Sequence, residues 1–405
     1  MPRSWCASLL LLGTIVLLPS MVLANPEELL SRAAALLHEG KPKEALVLLH
    51  DAERRLPDPR QAAGLLGEAY LRLGMQQIAH GDDAAGREAF ASAQRYLPDD
   101  PRPLQGMALA WMSAGQPAAA IGPLQEAQTL AGEDPELALL LGRACYSLGD
   151  LTQAEAAWTE AAQAGSAEAA PLLEKVRRER QAERDMSRDL AGHFTIAYAA
   201  GISDALANTV LDVLQEAYGE LGRELGYYPE TEIPVLLYSR EDFQAVTRSP
   251  IWAGAVYDGK IRVPLGGVER MTPQLRALLF HEYTHVVVRF LGRGRVPIWL
   301  NEGLAELAGQ RQYVPPHKAQ PQSLPPAALD RPFTELPTEL VPVAYAQSRA
   351  RVERLAELCG SPALGELLRQ LGNGLNWKAA VAEAYAPCGY DWPRLQVEMA
   401  TDPSP

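Results

Sequence analysis

From Pro26 to about residue 168, apolar residues, mainly Ala and Leu, recur at helical spacing and are interrupted by Gly and Pro. The interruptions are periodic. Gly81, Gly115 and Gly149 stand 34 residues apart. Behind the last two, Ala120, Leu124 and Ala127 repeat as Ala154, Trp158 and Ala161. The same ladder runs back through Gly81, Phe90, Ala93 and Pro98, and through Gly40, Ala45, Leu49, Ala52 and Pro57. Four units result, over 26–59, 67–100, 101–134 and 135–168, each predicting two helices joined by a turn. The extra residues between the first two units predict a lengthened helix beginning near Gln61. Residues 169–190, highly charged at helical spacing, predict a linker helix with a solvated face.

The pattern changes at His193. His193 to Ala199 reads as a strand, Ile202 to Leu225 as a long amphipathic helix and 233–239 as a second strand, followed by a short helix near Glu241 to Val246. Two more strand-like runs flank Asp258-Gly259, a pair favoured in tight hairpin turns. Thr272-Pro273 then begins a helix, with proline in its first turn. Strands followed by helices predict an α+β domain over 191–400.

The chain of 405 residues carries a formal net charge of −13, and its basic runs are short. Nucleic acid and anionic membranes, which call for a basic surface, are therefore poor partners. The first 24 residues are different: Arg3 precedes an uncharged apolar run from Ala7 to Leu18, Pro19 breaks it, and Val22 and Ala24 supply small residues for cleavage. This reads as a secretory signal peptide cut after Ala24, and an uncleaved anchor is the alternative. Cys6 lies too early to serve as a lipidation site. A periplasmic or secreted protein with no stable membrane insertion is expected. Export permits disulfides. Of the three later cysteines, Cys145 falls at a packing position of the fourth unit, and Cys359 and Cys388 either pair or remain separate buried thiols.

Candidate chemistry concentrates between residues 281 and 307. His281-Glu282-Tyr283-Thr284-His285 sets two imidazoles four residues apart, on one face of a helix, so both can reach one ion. Zinc accepts nitrogen ligands, and Glu282, on the adjoining edge, can take a proton from a water that the metal acidifies. A catalytic site needs a third protein ligand. A histidine six residues after the second, with glycine three before it, is excluded because those places hold Leu291 and Val288. The chain instead continues through a Gly- and Arg-rich loop at 292–297, which lets it reverse, into Trp299-Leu300-Asn301-Glu302-Gly303-Leu304-Ala305.

These residues resemble the gluzincins, the thermolysin and alanyl-aminopeptidase group, and most closely exported bacterial proteins with a peptidase MA-like domain. The repeat ladder resembles the tetratricopeptide repeat, although Gly86 stands where Ala is usual and the first unit lacks the Leu-Gly pair of Leu73-Gly74 and Leu141-Gly142. The resemblance implies an N-terminal all-α tetratricopeptide-repeat solenoid over 25–168. It implies a C-terminal α+β zincin-like, thermolysin-like metallopeptidase domain after it. It makes Glu302 the third zinc ligand and Glu306 the acid that holds a histidine's free N–H. It implies substrate binding along an edge strand, for which the hairpin of 255–257 and 261–265 is the candidate, an ordinary structural hairpin being the alternative. An Ala-Tyr-Ala-Gln-Ser run common to such relatives marks Tyr345 as the donor that steadies a developing oxyanion; helix packing is its plainer role, and His317 is a weaker rival. The glycine-rich exopeptidase signature is absent, and only Asp258 offers an acid for a substrate amine, which favours an endopeptidase over an aminopeptidase.

The expectation is one Zn2+, a peptide or protein substrate, and a protein partner on the repeat array. The rival is an envelope scaffold whose peptidase-like domain is structural or inactive. Retention of Glu282 weighs against the rival, because a scaffold has no need of a general base.

Overall fold

A computed structural model describes residues 25–247, 255–313 and 323–400. Residues 1–24, expected to form a signal peptide, and His317 lie outside the described residues. The chain is mostly helical, with one small mixed sheet.

The first half is helical throughout: α1 (Pro26–His38), α2 (Pro42–Arg55), α3 (Arg60–Ala79), α4 (Asp83–Tyr96), α5 (Arg102–Ser113), α6 (Pro117–Ala131), α7 (Pro135–Ser147), α8 (Leu151–Gln163) and α9 (Ala169–Glu183). Each helix packs on the next. Small residues set how closely they approach. A Cβ at Gly74 would stand 2.6 Å from the Phe90 ring. A Cβ at Gly142 would collide with the Trp158 indole. At the intermediate position Ala108 is fully buried, as is Leu124. Asp82, Asp134 and Asp150 each cap a helix by accepting a backbone N–H. Glycines in the left-handed region, among them Gly40, Gly81, Gly115 and Gly149, turn the chain between partners.

The second half comprises β1 (Ser187–Ala191), β2 (Phe194–Tyr198), α10 (Asp204–Leu225), β3 (Ile233–Tyr238), α11 (Arg240–Thr247), β4 (Val256–Tyr257), β5 (Ile261–Pro264), α12 (Pro273–Gly292) and α13 (Ile298–Gln312). After them come α14 (Pro326–Leu329), α15 (Val341–Cys359), α16 (Ser361–Gly372), α17 (Trp377–Tyr385) and α18 (Trp392–Ala400). The sheet runs β1-β2-β3-β5-β4. Its central pairs, β2 with β3 and β3 with β5, are parallel, and both edge strands are antiparallel to their neighbours. The parallel strands are covered on both faces, as such strands generally are. Phe194, Ile196, Val235, Leu237, Ile261 and Val263 belong to one core with buried side chains of α10, α12, α13, α16 and α17. On the other face Ala197, Leu236 and Tyr238 meet Phe243 and Val246 of α11. Cys359 and Cys388 form a disulfide with Cα atoms 5.9 Å apart, tying the end of α15 to the segment after α17, and Cys145 is a buried free thiol. Among the described residues no helix is long and apolar enough to cross a membrane.

The linker helix expected over 169–190 requires correction. α9 stops at Glu183, and residues 187–191 turn through Gly192 (φ 62°) to pair with β2 as an edge strand. Its charges are also not all solvated: Glu179 is fully buried and Glu183 is 5 % exposed. They meet Arg262 and Lys260, themselves 0 % and 3 % exposed. Arg262 lies 3.0 Å from Glu179 and Lys260 3.3 Å from it. Tyr146 of α7 donates to Glu179 at 2.6 Å, and Tyr238 of β3 donates to Glu183 at 2.8 Å. Asp258 accepts from Arg262 at 3.0 Å and from Lys175 of α9 at 2.6 Å. Three cations thus face three carboxylates where α7 and α9 meet the sheet. A second junction lies at the loop after α12, where Arg293 pairs with Asp83 at 2.8 Å and Arg295 donates to the Ala79 carbonyl at 2.7 Å.

Removing one member of a buried, balanced charge cluster strands its partners. Glu179→Ala is expected to lower unfolding free energy by about 3–5 kcal/mol in chemical denaturation. A loss below about 1 kcal/mol, the range of exposed pairs, would show that water reaches this cluster.

Candidate metal centre

α12 is apolar on most of its circumference because it runs through the core: Leu279, Phe280, Tyr283, Val286 and Val287 are buried against the sheet and its neighbouring helices. Thr272 caps it by accepting from the Leu275 N–H, and Pro273 occupies its first turn. It ends at Arg293, the one non-glycine residue with positive φ (50°) among the described residues. The remaining stripe carries His281 and His285, whose ring centroids lie 4.8 Å apart.

α13 brings the third group. It crosses α12 closely, since a Cβ at Gly309 would already stand 3.0 Å from the Ala277 carbonyl oxygen. At Gly303 a Cβ would collide with the Ser348 carbonyl oxygen of α15. The glycine beside Glu302 thus lets α15 lie directly on α13 and carry Tyr345 over the site. Glu302 Oε2 comes 3.7 Å from His281 Nε2 and 3.6 Å from His285 Nε2. One ligand atom from each of the three lies within 4.8 Å of the others.

The residues fit a divalent ion. Ligands about 2.0–2.1 Å from a tetrahedral zinc stand roughly 3.4 Å from each other, close to the two separations seen here. The donors, two imidazoles and a carboxylate, are of the kind catalytic zinc takes. Glu282 is 3 % exposed, and its Oε2 is buried without a hydrogen-bond partner. Among the described residues no Lys or Arg pairs with Glu282, Glu302 or Glu306. Asn301 Oδ1 accepts from His285 Nδ1 at 3.0 Å, which turns Nε2 toward Glu302. Glu306 Oε2 lies 3.8 Å from His281 Nδ1, longer than a hydrogen bond, and its other oxygen accepts from Gln310 at 2.9 Å.

Burial sets the protonation of the cluster. Desolvation pushes the Glu282 carboxyl up to about 7, with the Glu302 charge adding to it and His285 opposing. Desolvation, and then the neighbouring His285, holds His281 well below its ordinary value. His285 is also desolvated, but Glu302, Glu282 and the Asn301 hydrogen bond outweigh that and raise it. Glu302 is raised by desolvation, with His285 opposing and the Glu306 charge adding to it.

All of these side chains line one cleft of about 740 Å³, together with Ala255, Tyr257 and Asp258 from the β4–β5 hairpin. Tyr345 lies edge-on to His281 with ring centroids 6.1 Å apart and packs edge-on against Phe333 at 5.1 Å, and burial together with the nearby Glu302 charge holds its phenol well above its ordinary value. His193 is elsewhere, stacked on Tyr218. Asp258 reaches the cleft wall with its carboxylate already engaged by Lys175 and Arg262. Two contributors are not evident from the motif alone. Asn301 holds His285, and its position directly before Glu302 was the available signal. Arg289 lines the cleft eight residues after His281, in step with the two histidines. The chain matches no family model, and no curated protein is significantly similar to it.

Glu302→Ala should abolish stoichiometric zinc binding. Asn301→Ala, which loses the His285 hydrogen bond, should retain zinc with about 10–100-fold weaker affinity, and Glu306→Ala, whose carboxylate stands 3.8 Å from His281, should retain zinc with a smaller loss. Zinc titration with a competing chelator checks this order, and tighter binding by Glu302→Ala than by Glu306→Ala would exchange the two carboxylates' roles. Metal-free protein offers a separate test. Glu282 holds its proton to about pH 7 when folded, against an ordinary value of 4.5. Between those values the folded state binds more protons than the unfolded one, so this group's contribution to stability declines as pH rises through them. Glu282→Gln removes the decline. The metal-free variant should be more stable than metal-free wild type at pH 8, by up to about 3 kcal/mol, with little gain at pH 4. An equal gain at both pH values contradicts the assignment.

Proposed function

We propose that this protein is an exported zinc metallopeptidase of the gluzincin type, with a peptidase MA-like domain joined to a tetratricopeptide-like helical array that binds a protein partner. The observation that carries this reading is the convergence of His281, His285 and Glu302 on one point, with the partnerless Glu282 carboxylate oxygen buried beside it. A scaffold would gain nothing from holding an unpaired carboxylate there, since its burial costs free energy.

His281 Nε2, His285 Nε2 and one Glu302 oxygen would hold the ion, with Asn301 fixing the His285 ring. When bound, zinc supplies Lewis acidity, lowering the pKa of water toward neutrality and polarising a carbonyl. Glu282 takes the proton from the attacking water and returns it to the departing amine. Tyr345 donates its phenolic proton as a hydrogen bond toward the carbonyl oxygen as charge develops there. The chain of an extended substrate is laid along β4, an edge strand whose Tyr257 lines the same cleft. Asp258, with Lys175 and Arg262 on its oxygens, is not free to hold an α-amine. That favours internal cleavage over removal of N-terminal residues.

The test is hydrolysis of an unbiased peptide library by zinc-loaded protein. Wild type is expected to cut internal bonds, and Glu282→Gln to lose turnover while retaining zinc. Tyr345→Phe should lower kcat roughly 10²–10³-fold at unchanged zinc content. If Tyr345 only steadies Glu302, zinc affinity will fall in that variant instead. Equal cleavage by wild type and Glu282→Gln would remove the reading.

A further inference from the structure

The cleft is rich in carboxylates, yet one cation projects into it. Arg289 is the only Lys or Arg among its described lining residues. It is exposed, and among the described residues it has no carboxylate partner. His281, His285 and Arg289 are spaced four and four along α12, which places Arg289 on the continuation of the ligand stripe, about 6 Å further along the axis than His285. Its charge acts on the phenol of Tyr257, across the cleft on β4. Val288, Val296 and Ile298 also line the cleft. Around the metal ligands the situation is reversed, with Glu282, Glu302 and Glu306 close together and Asp258 already neutralised.

We propose that Arg289 is a carboxylate-recognising group that selects peptides carrying a carboxylate one or two residues from the bond to be cut. This rests on the peptidase reading above. The distance is set by the geometry: an extended chain advances about 3.3 Å per residue, so the 6 Å step from His285 corresponds to one or two residues. Guanidinium and carboxylate are a matched pair, able to form two parallel N–H···O bonds. The carboxylate can be an Asp or Glu side chain or the peptide's own C-terminus. An arginine in the last turn of a helix also complements the helix dipole, but that role affects stability and cannot discriminate between peptides.

The experiment uses fluorescent hexapeptides identical except for Glu or Gln beside the scissile position, each with a free or an amidated C-terminus. Binding is measured on zinc-loaded Glu282→Gln protein at low and at high salt, and hydrolysis on wild type. Peptides with a carboxylate should bind about tenfold more tightly than their neutral counterparts, and high salt should narrow the gap. Adding Arg289→Gln should bring the ratio close to one, and Arg289→Glu should transfer the preference to a Lys-containing peptide, with zinc content and melting temperature as in the parent. The Glu/Gln arm and the acid/amide arm show which carboxylate is read. Hydrolysis without discrimination, or discrimination that survives Arg289→Gln, overturns the carboxylate site and leaves the peptidase reading standing. Arg289-dependent binding without hydrolysis removes the peptidase reading and retains the site. Absence of both removes both.

Discussion

Carboxylates and imidazoles gathered out of water raise the free energy of the fold unless a positive charge sits among them. At the heart of the second half, Glu282, Glu302 and Glu306 come together with His281 and His285, and among the described residues no Lys or Arg pairs with the three acids. Burial forces the compromises seen in their protonation: a carboxyl pushed up to about 7 beside one depressed and one raised imidazole. A divalent ion between two Nε2 atoms and a carboxylate oxygen would relieve all of them together. The close crossing of α12 and α13 at Gly309, the contact of α15 at Gly303 and the cover given by Tyr345 serve to maintain this arrangement.

The same chain solves the same problem differently some distance away. Arg262, Lys260 and Lys175 balance Glu179, Glu183 and Asp258, with Tyr146 and Tyr238 filling the remaining hydrogen bonds. That cluster is internally complete, so it welds α7 and α9 to the sheet and asks for no ligand. Its outermost member, Asp258, sits in the turn of the hairpin that walls the cleft. The helical first half therefore steadies the strand edge that would hold a substrate. At the other end, Arg293 and Arg295 fasten the loop between α12 and α13 to α3 and α4.

Much of this was legible in the sequence because it is periodic. Helical spacing marked the helices of the first half, and four-residue spacing put His281 and His285 on one stripe. The hairpin around Asp258-Gly259 and the cap at Thr272 were local signals of turn and helix start. Other features depend on contacts between distant residues. Glu179 and Glu183 look like ordinary solvated charges until Arg262, far along the chain, is folded against them. The pairing of Ser187–Ala191 with β2 was masked by the charged run before it, which reads as one continuous helix. The hydrogen bond from His285 to Asn301 emerges only once α13 lies across α12.

X-ray absorption of zinc-reconstituted protein would report whether a single metal ion is held by two imidazoles and a carboxylate. About one zinc per chain is expected, with two imidazole nitrogens near 2.0–2.1 Å, oxygen neighbours near 2.0–2.2 Å and no sulfur. A sulfur neighbour, a spectrum with no imidazole scattering, or a chain that retains no zinc after desalting would contradict it.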